Sequence, residues 1–113
     1  MPMNDDPSAV VLLKKLLSQS HILGGLVVSP DGTVEYSELP PEADVHLIGA
    51  LGATLFSNNN VTLQRMDRGS VMQMVLQTDQ GLFMFHELDG RLLVILADSE
   101  SNLPNLMRLI EGD

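Results

Sequence analysis

The sequence predicts an α+β domain built on an antiparallel sheet, and three observations carry that reading. Three strand-like runs, Ser70 to Thr78, Leu82 to Leu88 and Arg91 to Ala97, are separated only by Asp79-Gln80-Gly81 and Asp89-Gly90. Those connections are too short for anything but antiparallel hairpins. A further pair of runs brackets Ser29-Pro30-Asp31-Gly32, where Gly32 can take the positive φ that the turn needs. Three segments with helical spacing of apolar residues interleave with these runs, so the order is α-β-β-α-β-β-β-α.

The first helix is expected over residues 7–19, with Asp6 as N-cap, Pro7 as its first residue, and Val10, Leu13, Leu16 and Leu17 at helical spacing. Ile22 to Ser29 and Thr33 to Ser37 are the first two strands. Gly24 and Gly25 read as a place where a helix packs closely, because no Gly-Lys-Ser/Thr follows to make a phosphate loop. The second helix starts at Pro40-Pro41. Ile48, Leu51, Leu55, Thr62 and Met66 make one stripe of it, and Val45, Gly49, Ala53, Phe56 and Leu63 a neighbouring one. Asn58-Asn59-Asn60 are poor helix formers and would also fit a loop, with Val61 to Met66 as a strand. Because the periodicity resumes in phase beyond them, we read a continuous helix to about Arg68, stopped by Gly69. After the three hairpin strands, Asn102 caps a last helix from about Leu103 to Glu111, with Leu103, Leu106, Met107 and Ile110 on its apolar face.

Composition narrows the function classes. The chain has 113 residues, six Lys plus Arg against fifteen Asp plus Glu, a net charge of −9, and no cysteine. A chain of this size buries roughly 65 % of its unfolded surface, enough for one domain spanning 1–113; residues 1–6 are expected to be disordered. The acidic balance argues against nucleic acid and anionic membranes. With no membrane span and no basic-then-apolar leader, a cytoplasmic protein is expected. The absence of cysteine excludes disulfides and thiolate sites. His21, His46 and His86 fall in a loop, a helix and a strand, without metal-ligand spacing. Asp5-Asp6 and Glu42-Asp44 read as helix N-terminal charge rather than acid/base dyads, and no serine is centred in a Gly-x-Ser-x-Gly elbow. We therefore expect no catalytic residue, no metal, no cofactor and no enzyme.

Four stretches carry a family resemblance: Gly24-Gly25-Leu26-Val27-Val28-Ser29-Pro30-Asp31-Gly32, the long second helix, the Gly69-to-Gly81 strand, and Arg91-Leu92-Leu93-Val94-Ile95-Leu96-Ala97-Asp98 running into Asn102-Leu103. Together with the element order they resemble the roadblock/dynein light-chain family, in particular bacterial members that act with Ras-like GTPases. The resemblance implies an α/β sandwich with a five-stranded antiparallel sheet of order 2-1-5-4-3. The first and last helices would cover one face and the long helix the other.

In that order Ser70 to Thr78 is an edge strand without Lys or Pro, unlike the blunted edges of most soluble monomers. We expect it to pair with a second copy, as in the family's homodimers, with Gly49, Ala53 and Ser57 letting two helices approach. The expected dimer interface is Gly49, Ala53, Phe56, Ser57, Val71, Met72, Met74 and Leu76. Met66, Met72, Met74, Met84 and Met107 either fill the core or make adaptable contacts. Phe56, read as pointing away from the sheet, with Asn58, Asn59, Asn60 and Arg65, is either a partner surface for a small GTPase or a dimer contact at an imperfect helix turn. Arg65 and Arg68 could reach a phosphate as arginine fingers, but the resemblance implies a regulator that repositions the GTPase's own residues. The alternative is a structural adaptor without effect on GTP hydrolysis, either a dynein-light-chain-like subunit or a scaffold that pairs with another roadblock-type protein.

Overall fold

The structure is a computed structural model that describes residues 7–98 and 103–111. Eight elements follow in the expected order: α1 (Ser8–Leu17), β1 (Ile22–Val28), β2 (Val34–Glu38), α2 (Val45–Arg65), β3 (Gln73–Thr78), β4 (Gly81–Leu88), β5 (Arg91–Ala97) and α3 (Leu103–Glu111). Every strand pairing is antiparallel and the sheet order is β2-β1-β5-β4-β3. The expected caps Asp6 and Asn102, and the expected disorder of 1–6, lie outside the described residues.

The element ends show where local chemistry departs from expectation. Pro7 is the N-cap of α1 rather than its first helical residue, with extended φ −57° and ψ 153°. α2 starts at Val45, not at the prolines, because the Asp44 carboxylate accepts a hydrogen bond from the Leu47 backbone N–H at 3.1 Å. It then runs unbroken through the asparagine triplet. Its stop is Asp67, not Gly69: Asp67 takes a left-handed φ of 56°, and the amides of Asp67 and Arg68 bond back to the carbonyls of Gln64 and Leu63. That pair of bonds is a Schellman closure filled by a residue other than glycine. β3 begins at Gln73 rather than Ser70, so Val71 and Met72 precede the strand.

Side chains alternating across the sheet build two cores. On one face Leu13 and Leu16 of α1 and Leu106 of α3 pack on Val27, Met84, Leu93 and Ile95. On the other, Ile48, Ala53 and Phe56 of α2 pack on Leu26, Val28, Phe85 and Val94. Close approach of α1 is made possible at Gly25, where a Cβ would lie 2.6 Å from Leu13 Cδ1 and 2.7 Å from the Val94 carbonyl oxygen. Gly24 is tight against β2 and Leu39 instead of a helix. No helix among the described residues is long and apolar enough to cross a membrane.

Candidate interaction site

α2 does not lie centrally on its face of the sheet. Its N-terminal half lies close to β1 and β2, with Gly49 against Val34 and Leu26, and Gly52 sits above Val94 of β5 and Phe85 of β4. The β3 end of that face is left with little helical cover. The result is a groove of about 330 Å³, walled by Ile48, Leu51 and Leu55 of α2 and by Leu76 of β3, with Phe83 and Phe85 as floor. Its walls offer almost no polar atom. Seven of the nine large apolar residues left exposed among the described residues, Leu47, Leu51, Leu55, Val61, Met66, Met72 and Leu76, lie on α2, at its end, or on β3 and its approach. Leu51 is 60 % exposed and Met72 70 %. Soluble monomers rarely concentrate apolar surface in this way.

The groove borders an unprotected sheet edge. β3 is hydrogen-bonded to β4 alone, in unbroken register from Gln73 opposite His86 to Thr78 opposite Gly81. Its sequence Gln-Met-Val-Leu-Gln-Thr contains no charge and no proline. The opposite edge, β2, is short, carries Glu35 and Glu38, and has Pro30, Pro40 and Pro41 beside its ends. Of the two edges only β3 lacks the usual devices against strand addition.

The expected interface residues divide sharply. Met72, Met74 and Leu76 line or adjoin the open edge, although Met74 also packs on the α2-side core. Val71 is a correction: it is only 8 % exposed, and its backbone N–H is held by Asn60. Gly49 and Ala53 are corrected too, because both face the sheet, so the stripe of small residues seats α2 on its own sheet and not on a second helix. Ser57 is exposed on the flank of α2. Phe56 points into the core against the expectation that it aims outward. The helix wheel fixed relative angles but had no reference for which side met the sheet. The row that does face outward, Leu47, Leu51 and Leu55, repeats every four residues. Leu47 was missed although this spacing was a usable signal.

The asparagine triplet is also partitioned. The Asn60 carboxamide oxygen accepts from the Val71 N–H at 2.8 Å, and Asn59 Nδ2 donates to the Leu55 carbonyl at 2.8 Å. Asn60 is committed to the chain's own α2–β3 connection, which corrects its assignment to a partner surface, while Asn59 stays exposed with a bond only to its own helix turn. Asn58 and Arg65 are exposed on the outward side. Among charged groups, Asp31 is held below the usual carboxylate range, mainly by the Ser29 hydroxyl and then by Thr33. His21 Nδ1 lies 3.0 Å from Asp98. Burial lowers the pKa of His86, with Glu87 opposing, and its Nδ1 has no hydrogen-bond partner. No group of three or more His, Cys, Asp or Glu residues that could hold a metal occurs among the described residues.

This arrangement is suited to macromolecular contact. An uncharacterized protein of Methanocaldococcus jannaschii is 29 % identical over 92 residues, covering 81 % of each chain. That relative is archaeal, so the similarity extends beyond bacterial proteins. A Roadblock/LC7 domain structure from Streptomyces avermitilis superposes with a TM-score of 0.77 at 24 % identity, covering 90 % of this chain and 91 % of that one. Myxococcus xanthus MglB gives 0.84 at 11 % identity, covering 96 % and 89 %, and an MglB structure with a tetrameric arrangement gives 0.75 at 17 %, covering 91 % and 79 %. At these identities the structures speak for the fold alone. The family described as Roadblock/LC7 domain matches residues 9–97, and with the sheet order 2-1-5-4-3 and helices on both faces the chain belongs to that family.

Proposed function

We propose that two copies of this chain pair through β3 and the groove beside α2, and that the homodimer is a non-enzymatic regulator binding a Ras-like small GTPase. The observation that carries the pairing is the adjacency of an unblunted strand edge and an uncovered apolar groove. Strand addition would satisfy the first, and a second α2 would cover the second. The dimer interface we propose is therefore Met72, Met74 and Leu76 with Leu47, Leu51 and Leu55, replacing the small-residue stripe.

The partner class follows from the resemblance to members that act with Ras-like GTPases. Along the outward side of α2 the apolar row of the N-terminal half gives way to Asn58, Thr62 and Arg65. We assign the first half to self-pairing and the second to the GTPase. Regulation would be conformational: a binding partner shifts a switch region only by its differential affinity for the two states. Such a role places the protein in the cytoplasm.

The test is retention of the host's small GTPases, loaded with GDP or a non-hydrolysable GTP analogue, on the immobilised protein. One nucleotide form should be retained in preference. Absence of binding to both forms overturns the reading. A second reading is favoured by the same β3 edge, which could accept a different roadblock-type domain and make the chain an adaptor. Light scattering on dilution separates the two, since a monomer that forms only a mixed complex supports the adaptor.

A further inference from the structure

The layer of α1 and α3 lies across the sheet from the α2 groove, and the proposed function does not use it. α1 is apolar on more sides than its core consumes. Ala9, Val10, Leu13 and Leu16 are buried, yet Val11 stays 47 % exposed. Val11 and Leu12 of α1, Leu88 at the end of β4, and Leu109 and Ile110 of α3 wall a second groove of about 360 Å³. Ser8, Val11, Leu12 and Lys15 line it at helical spacing, a face about two turns, or ~10 Å, long.

Charge distinguishes this surface from the rest of the molecule. The whole chain has fifteen acids against six bases. α1 nevertheless carries Lys14 and Lys15 and no acid, while α3 carries Arg108 and Glu111. Lys14 stacks 5.3 Å from the Tyr36 ring centroid. Lys15 is exposed and, among the described residues, is the one charged residue lining the groove. Asp89 sits in the turn after Leu88, and Glu87 alternates with Leu88 along β4, so neither joins the lining.

We propose that this groove docks an amphipathic helix of a protein partner that bears a carboxylate beside its apolar face, with the carboxylate meeting Lys15. In helix-in-groove recognition an amphipathic helix lays its apolar face into a hydrophobic groove through anchors at i, i+3, i+4 and i+7, a spacing that spans about two turns, or ~10 Å. The chain's net charge of −9 disfavours an anionic bilayer as the occupant.

The probe is a fluorescent helix-forming peptide of about 15 residues, with leucines on one face and a flanking Glu, compared with the same peptide carrying Lys in place of that Glu. Fluorescence anisotropy should show saturable binding of the Glu peptide, tighter by about tenfold than the Lys peptide. Lys15→Glu should invert that preference, and Val11→Asp should abolish binding while circular dichroism and self-association stay unchanged. No saturable binding of the Glu peptide, equal binding of both peptides, or binding only to vesicles of phosphatidylcholine and phosphatidylserine would overturn the proposal.

Discussion

Asn60 has the appearance of a surface residue in sequence and the role of a brace in the fold. Its carboxamide oxygen satisfies the Val71 amide, in a partly buried place where the chain leaves α2 for β3. Asn60→Ala leaves that donor unpaired and should cost about 1–2 kcal/mol in urea unfolding, whereas Asn58→Ala, exposed inside α2, should raise stability by about 0.5 kcal/mol through helix propensity. Gly25 is constrained differently. The added methyl of Gly25→Ala would press on Leu13 Cδ1 and on the Val94 carbonyl oxygen, and the latter belongs to the neighbouring strand and has little freedom to move. A loss of about 1–3 kcal/mol is expected in the same assay. His86 gives a pH dependence. Its pKa is lowered from 6.5 by burial, and its Nδ1 would have no acceptor if protonated. The unfolded chain therefore binds more protons in the window just below that value, so stability is full above it and falls as pH decreases through it. Urea midpoints should drop between about pH 7.5 and about pH 5.5, and less so in His86→Gln.

At the scale of elements, α2 and β3 together decide how the molecule presents itself. Leu76 is a better probe of the strand edge than Met74, because Met74 also serves the chain's own core while Leu76 lines the groove. Leu76→Lys should give a monomer in light scattering with unchanged circular dichroism. Ser57→Lys, on the flank of the same helix, should remain dimeric. If the opposite pattern appears, helices meet through the flank that carries Ser57 and the groove is not the interface. The strand order and helix placement were legible through hairpin lengths and a family resemblance. α2 was legible because its periodicity stayed in phase across three poor helix formers. What sequence could not supply was the rotation of α2 about its axis. Gly49, Ala53 and Phe56 form one side of the wheel whether that side meets the sheet or a second molecule, and only packing against Val34, Leu26 and Phe85 distinguishes the two. The start of β3 was illegible for a related reason: Val71 is as apolar as a strand residue, but its amide is engaged by a side chain from α2 rather than by β4.

For the whole molecule, the two faces of the sheet are unequally finished. The α1/α3 side has a core closed by two helices, whereas the α2 side is closed by one helix that covers only part of it. Leu47, Leu51, Leu55 and Leu76 are left outside. Burying the area that each still exposes would be worth about 0.5–2 kcal/mol, less the ordering and association costs that a second chain incurs. A domain arranged in this way should draw much of its stability from its partner, and the thermal midpoint should then depend on protein concentration. Each tenfold increase in protein adds about 1.4 kcal/mol to the apparent stability of a dimer. For a cooperative unit of roughly 200 residues that corresponds to a rise of about 3–6 °C in Tm. Calorimetry over a dilution series should show this slope in the native chain and lose it in Leu76→Lys, whose midpoint should be lower and independent of concentration. A native midpoint that does not move with concentration would mean that the exposed leucines are stable in water on a single chain, and the homodimer would have to be abandoned.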